Sequence, residues 1–288
     1  MRRRRQKNDL PKILMLSGVL VACMGGLGYA ALSTMGQKIP DQYGCYEDIK
    51  QRHTFVLFDA SEPRLNAQQE RSVRNYLDKV YDNLGPNEKL SFITTESDQI
   101  SSTPKARFHV CGAARNSEEI EAVGGQSASA GFLKKQRQRL YDKMYAPQVE
   151  ALLSQTPDES RRQNSQSPVL EMIKNISSMR DFVPGSRLIS IGDHLQNSES
   201  AQFCVTQGHM PPFRIFRERE IYKQRLVPRS MDGVDITVLL LQRYGYGKGF
   251  LKYCKNEEEL TKFWRDYFVG NGAVNPEFIR IRSGHTGG

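Results

Sequence analysis

Three apolar runs of strand length, Thr54–Phe58, Arg187–Gly192 and Val234–Leu241, constrain this chain more than any other feature. Runs that stay apolar at consecutive positions fit strands covered on both faces, which is the environment of a parallel sheet between two helical layers. Segments of helical period lie between them. From Asn66 to Leu84 the apolar residues Val73, Leu77, Val80, Tyr81 and Leu84 recur at three-and-four spacing, and Gly85-Pro86 ends the pattern. Asn66 suits its N-cap. Lys89–Thr95 and Ala106–Cys111 read as further strands, Phe132–Leu153 as a long helix interrupted by Pro147, and Gly112–Gly131 as a surface loop. Pro168 opens a helix over Val169–Ile176, Glu257–Phe268 forms a closing helix, and Phe278–Ile281 adds an edge strand. Strands alternating with helices predict an α/β fold: a Rossmann-like, mostly parallel central sheet flanked by helices.

The N-terminus obeys different rules. Arg2, Arg3, Arg4, Arg5, Lys7 and Lys12 precede a stretch from Ile13 to Met35 without a single charge. Such a stretch is long enough to cross a hydrocarbon core of roughly 30 Å as a helix, and the basic flank belongs on the cytoplasmic side. The expected organisation is a cytoplasmic segment at 1–12, a transmembrane helix at 13–35, a linker at 36–48 and an extracytoplasmic domain at 49–288. A cleaved signal peptide fits less well, because apolar character persists through Tyr29-Ala30-Ala31-Leu32. Leu20-Val21-Ala22-Cys23 also matches a lipoprotein box with Cys23 as the lipidated residue, although the chain does not turn polar after it. The layout points to a bacterial inner membrane, single-pass, with the main domain in the periplasm.

Most of the net charge of +9 sits in that leader, which removes the main argument for nucleic acid. The runs Lys134–Arg139 and Arg217–Glu220 read as solvated faces. Cys45, Cys111, Cys204 and Cys254 follow the leader, and none forms a close-spaced pair of the zinc-site type. An even number in an exported domain predicts two disulfides, with three connectivities open.

Two of the apolar strands end in a carboxylate, Asp59 and Asp193. In a parallel sheet the strand C-termini share one rim, so both acids meet there, joined by Ser61 from the first loop and by Ser167 from the start of a helix. Carboxylates and hydroxyls together form a hard-oxygen set suited to magnesium, manganese or calcium.

In this order the chain resembles a von Willebrand factor A (VWA)-type domain, in which a strand ends in Asp-x-Ser-x-Ser, a threonine precedes a later helix, and an aspartate tips the following strand. The matching stretches are Asp59-Ala60-Ser61-Glu62-Pro63, Ser167-Pro168-Val169-Leu170-Glu171 and Ile191-Gly192-Asp193-His194. The resemblance spans Thr54 to Ala273 and departs from the family pattern at Pro63, Ser167 and His194. It implies a metal-ion-dependent adhesion site in degenerate form, with Asp59, Ser61, Ser167 and Asp193 holding Mg2+ or another divalent cation. It further implies a protein partner at the C-terminal rim, over Glu96–Pro104, Gly112–Gly131 and Gln196–Pro212. The expected role is a binding or assembly module of an envelope machine for secretion, conjugation or defence.

The competing enzymatic reading makes Asp59 the nucleophile of a haloacid dehalogenase-like phosphohydrolase, but Ser61 stands where that chemistry needs a second acid. Serine hydrolysis has neither a Gly-x-Ser-x-Gly elbow nor an evident nucleophile for His53, His109, His194, His209 or His285. His194 is expected at the surface of the rim, and Tyr244–Gly249 as a flexible rim loop.

Overall fold

A computed structural model describes residues 10–34, 38–46, 49–60, 65–95, 103–154, 166–204, 208–242 and 257–282. Six strands form one sheet: β1 His53–Phe58, β2 Lys89–Thr94, β3 Phe108–Cys111, β4 Arg187–Gly192, β5 Asp235–Leu241 and β6 Glu277–Ile281, in the order β3-β2-β1-β4-β5-β6. Every neighbouring pair is parallel except β2 with β3. The order reverses between β1 and β4, which is where open α/β sheets leave a crevice for ligands.

Side-chain alternation sorts the strands onto two cores. Phe55, Leu57, Ile93, Leu188, Val238 and Leu240 face one layer, and Val56, Phe58, Phe92, Ile189, Leu239 and Leu241 face the other. Helix α2, Ala67–Asp82, covers the second face with Val73, Leu77, Val80 and Tyr81. Its start is a capping box: Asn66 Oδ1 accepts from the Gln69 amide, and Gln69 Oε1 accepts from the Asn66 amide.

Two sequence expectations change here. The long helix expected over Phe132–Leu153 is two α-helices, α4 Ala130–Leu140 and α5 Ala146–Leu153, joined by a π-helical turn at Tyr141–Tyr145. Pro147 lies in the first turn of α5, where its missing N–H is tolerated, so the register shift falls just before it. The expected loop at Gly112–Gly131 contains α3, Ser117–Ala122, capped by Asn116 and anchored by buried Ile120.

The opposite face carries α6, Val169–Ser177, a short α7, Phe213–Phe216, a second π-helical turn at Tyr222–Leu226, and α8, Glu257–Gly270. Phe263, Trp264 and Tyr267 of α8 meet Phe203, Phe213 and Phe216 edge to face, a favoured geometry for aromatic rings. Cys45 and Cys111 form a disulfide that pins the segment before β1 to the end of β3. Cys204 is also disulfide-bonded, to a partner outside the described residues. Cys254 lies outside them.

At the N-terminus, α1 runs through Leu10–Thr34, continuous across Cys23. Described side chains along it, among them Met15, Leu16, Val21 and Met24, are exposed. The side chains at 10–14, 27 and 29–34 lie outside the description, and among the described residues no helix is long and apolar enough to cross a membrane.

Candidate functional site

Asp59 follows β1 and Asp193 follows β4, so the two carboxylates flank the point where the strand order reverses. The Asp59 amide extends the ladder by donating to the Ile191 carbonyl at 2.8 Å. Gly192 makes that approach possible, because a Cβ built there would lie 2.8 Å from the Asp59 Cβ.

Both carboxylate oxygens of Asp59 accept short hydroxyl hydrogen bonds, Oδ1 from Thr95 Oγ1 at 2.7 Å and Oδ2 from Ser167 Oγ at 2.6 Å. Asp59 is only 2% exposed, and a carboxylate taken out of water to that degree needs such donors. Thr95 also accepts from the Ala60 amide, which fixes the first bend after β1. Asp193 is fully buried, and its Oδ1 accepts from the Leu195 amide in a turn closed on itself.

Ser167 is held as firmly as Asp59. It exchanges two backbone hydrogen bonds with Asn197, Ser167 N to Asn197 O at 2.7 Å and Asn197 N to Ser167 O at 2.9 Å. Beside it, buried Glu171 accepts from Gln196 Nε2 at 2.8 Å and from Ser198 Oγ at 2.6 Å, while Gln196 Oε1 accepts from the Leu170 amide. The loop after β4 is therefore welded to the start of α6 by a saturated polar network, which orders the rim.

The structure thus brings Asp59 and Ser167 into contact and sets Asp193 on the adjoining strand tip; Ser61 lies outside the described residues. Thr95 is a member that sequence reading missed. Its signal was its place at the end of β2, next to β1, legible only once the pairing of those strands is known.

His194 corrects the expectation of a surface histidine. It is 1% exposed, with φ at 57°. Its Nδ1–H donates to the Gly192 carbonyl and its Nε2 accepts from Ser190 Oγ, both at 2.8 Å. Trp264 Nε1 donates to the His194 carbonyl at 2.9 Å. Burial pushes the His194 pKa down, against the Gly192 hydrogen bond and the nearby Asp193 and Asp59 carboxylates, so the ring is neutral.

A second histidine also finds a serine, contrary to the sequence expectation. His53 Nε2 lies 2.8 Å from Ser91 Oγ, and its Nδ1 lies 3.8 Å from Asp181 Oδ2. The resemblance to a hydrolytic triad is superficial. Ser91 sits inside β2 at 2% exposure, and burial with the Lys89 charge holds His53 down to about 3, far too low for a base at neutral pH.

The rim is narrower than expected. Because β3 runs antiparallel, Cys111 pairs with Lys89 at the opposite end of the sheet, and Gly112–Gly131 leaves from there. Gln196–Cys204 does lie at the rim through Ser167 and Asn197. The stretches 96–102 and 243–250 lie outside the described residues.

Elsewhere, ligand atoms of Asp41, Cys45 and His109 lie within 4.8 Å of one another. The Cys45 sulfur is bonded to Cys111, so it offers no thiolate to a metal while the disulfide is intact. No protein-family model matches the chain, and no curated protein matches it.

Proposed function

We propose that this chain is a membrane-anchored, VWA-like binding or assembly module whose rim captures a protein partner, with the domain on the extracytoplasmic side. The observation that carries the reading is the Asp59–Thr95–Ser167 cluster with Asp193 beside it, placed where the strand order reverses. The mostly parallel six-stranded sheet between helical layers is compatible with that fold. The Cys45–Cys111 disulfide supports an oxidising compartment. The anchor rests on the sequence alone: the uncharged stretch Ile13–Met35 would be about 35 Å long as a helix, which favours a single-pass inner-membrane anchor over a lipid on Cys23.

The cluster fits a divalent cation by its donor chemistry. Thr95 and Ser167 direct their protons to Asp59 and keep hydroxyl lone pairs, so two carboxylates and two hydroxyls present only hard oxygens, as Mg2+ or Mn2+ requires. Asp59, Thr95, Ser167 and Asp193 would hold the ion, together with Ser61, which the sequence resemblance adds and which lies outside the described residues. Bound there, the cation would supply an attachment point for a partner carboxylate. The enzymatic alternative is disfavoured by the state of Asp59: a carboxylate only 2% exposed and capped on both oxygens is a poor nucleophile.

Isothermal titration of the full chain in detergent with MgCl2 and MnCl2 tests the ion. Saturable binding abolished by Asp59→Ala and weakened by Ser167→Ala is expected. Equal heats in wild type and Asp59→Ala would remove the cation from the account.

A further inference from the structure

Helix α4 presents a row of cations that no acidic side chain among the described residues pairs. Lys134, Lys135 and Arg139 are exposed, and no ion pair among the described residues engages them. No acid lies within Ala130–Leu140. Phe132, 59% exposed, shares the outward side with Lys135 and Arg139 at three- and seven-residue spacing, while Leu133 and Leu140 turn inward. An exposed aromatic beside a cluster of cations is the composition of a helix that lies on a membrane surface.

The position of α4 along the chain selects the occupant. Helix α1 ends at Thr34, and Lys38 N already donates to the Gly124 carbonyl at 3.1 Å. Four steps of trans peptide span at most about 15 Å, whatever their conformation. Gly124 belongs to the turn closed by Gly125 N on the Ile120 carbonyl, and Ile120 packs with Leu133 of α4. The far end of α4 is held too: a Cβ at Gly44 would lie 2.9 Å from Leu140 Cδ1, and the Cys45–Cys111 disulfide fastens that segment to the sheet. Helix α4 is therefore clamped at both ends to the segment that follows α1, on a tether too short to let it stand well clear of the headgroups.

We propose that α4 is a membrane-surface helix: Phe132 enters the headgroup boundary, and Lys134, Lys135 and Arg139 hold the phosphates of anionic phospholipids in the bilayer that α1 spans. The contact fixes the orientation of the domain. Gly112 and α3 leave the sheet at the end opposite Asp59 and Asp193, so the end nearest the anchor rests on the membrane and the rim faces away. This inference rests on the reading of α1 as an anchor.

Amide hydrogen exchange of the full chain tests it, in nanodiscs of phosphatidylcholine alone or with phosphatidylglycerol added, alongside carbonate extraction of native membranes. With phosphatidylglycerol, exchange across 130–140 is expected to slow by about tenfold or more. The combined substitution Lys134→Glu, Lys135→Glu, Arg139→Glu abolishes that slowing at unchanged thermal stability, and Phe132→Ser reduces it. Equal exchange in both lipids, with the chain resisting carbonate, overturns the surface contact and leaves the anchor standing. Release by carbonate removes the anchor and the contact together. Protection that appears only in native membranes, and not in pure lipid, assigns α4 to a protein partner and also overturns the proposal.

Discussion

Ser167 Oγ donates to Asp59 Oδ2 at 2.6 Å across 108 residues of sequence, and both side chains are buried. That bond ties the start of α6 to the tip of β1. Removing the donor leaves a buried carboxylate oxygen short of a partner, so Ser167→Ala should lower stability by about 1–3 kcal/mol in urea unfolding. Ser178→Ala, on an exposed hydroxyl bonded only to the Lys174 carbonyl, should change it by less than about 0.5 kcal/mol.

Gly192→Ala should be more disruptive than its size suggests. The added Cβ would meet the Asp59 Cβ at 2.8 Å, and neither strand tip can retreat without breaking the Asp59–Ile191 hydrogen bond. A loss of about 1–3 kcal/mol is expected, together with loss of any cation binding. Thermal unfolding and calorimetric titration read the two effects separately.

His53 should make the domain acid-sensitive. Its folded pKa of about 3 lies below the ordinary 6.5, so between those values the unfolded chain takes up a proton that the native chain refuses. The stabilisation is complete above 6.5 and declines as pH falls towards 3, by roughly 4 kcal/mol over the whole window. His194, also pushed down by burial, adds a slope of the same sign. His53→Gln should flatten the dependence of Tm on pH across this range, and an unchanged slope would show that His53 does not set it.

Reduction of the Cys45–Cys111 bridge reopens a loop spanning 66 residues. Loop-closure entropy places the loss at about 4 kcal/mol for Cys45→Ala with Cys111→Ala, measured by chemical unfolding without reductant. The same change should release the segment that clamps α4, visible as faster amide exchange at 38–46.

Much of the sheet was legible from local pattern. The runs at β1, β4 and β5, the Asn66 cap and the closing aromatic helix each announce themselves through burial period or capping chemistry. What stayed hidden depends on neighbours distant in sequence. The direction of β3 is set by how the chain crosses the sheet edge, and Phe108–Cys111 alone carries no sign of it. Thr95 joins the site only because β2 lies beside β1, and the His194 ring is covered edge to face by Trp264, some 70 residues on. The π-helical turn at Tyr141–Tyr145 sets Tyr145 against Tyr81 and Phe92, a packing that no helical period reveals even though Pro147 marks the interruption.

The central claim is that the rim formed by Asp59, Ser167 and Asp193 captures a protein rather than transforming a substrate. Cross-linking of the full chain in native membranes, followed by denaturing purification, measures this directly, with and without EDTA and in wild type against Asp59→Asn. The account predicts a defined cross-linked partner that is lost on chelation and in Asp59→Asn, with no phosphate-ester hydrolysis by either protein. A partner retained under both conditions, or phosphatase activity present in wild type and lost in Asp59→Asn, would contradict it.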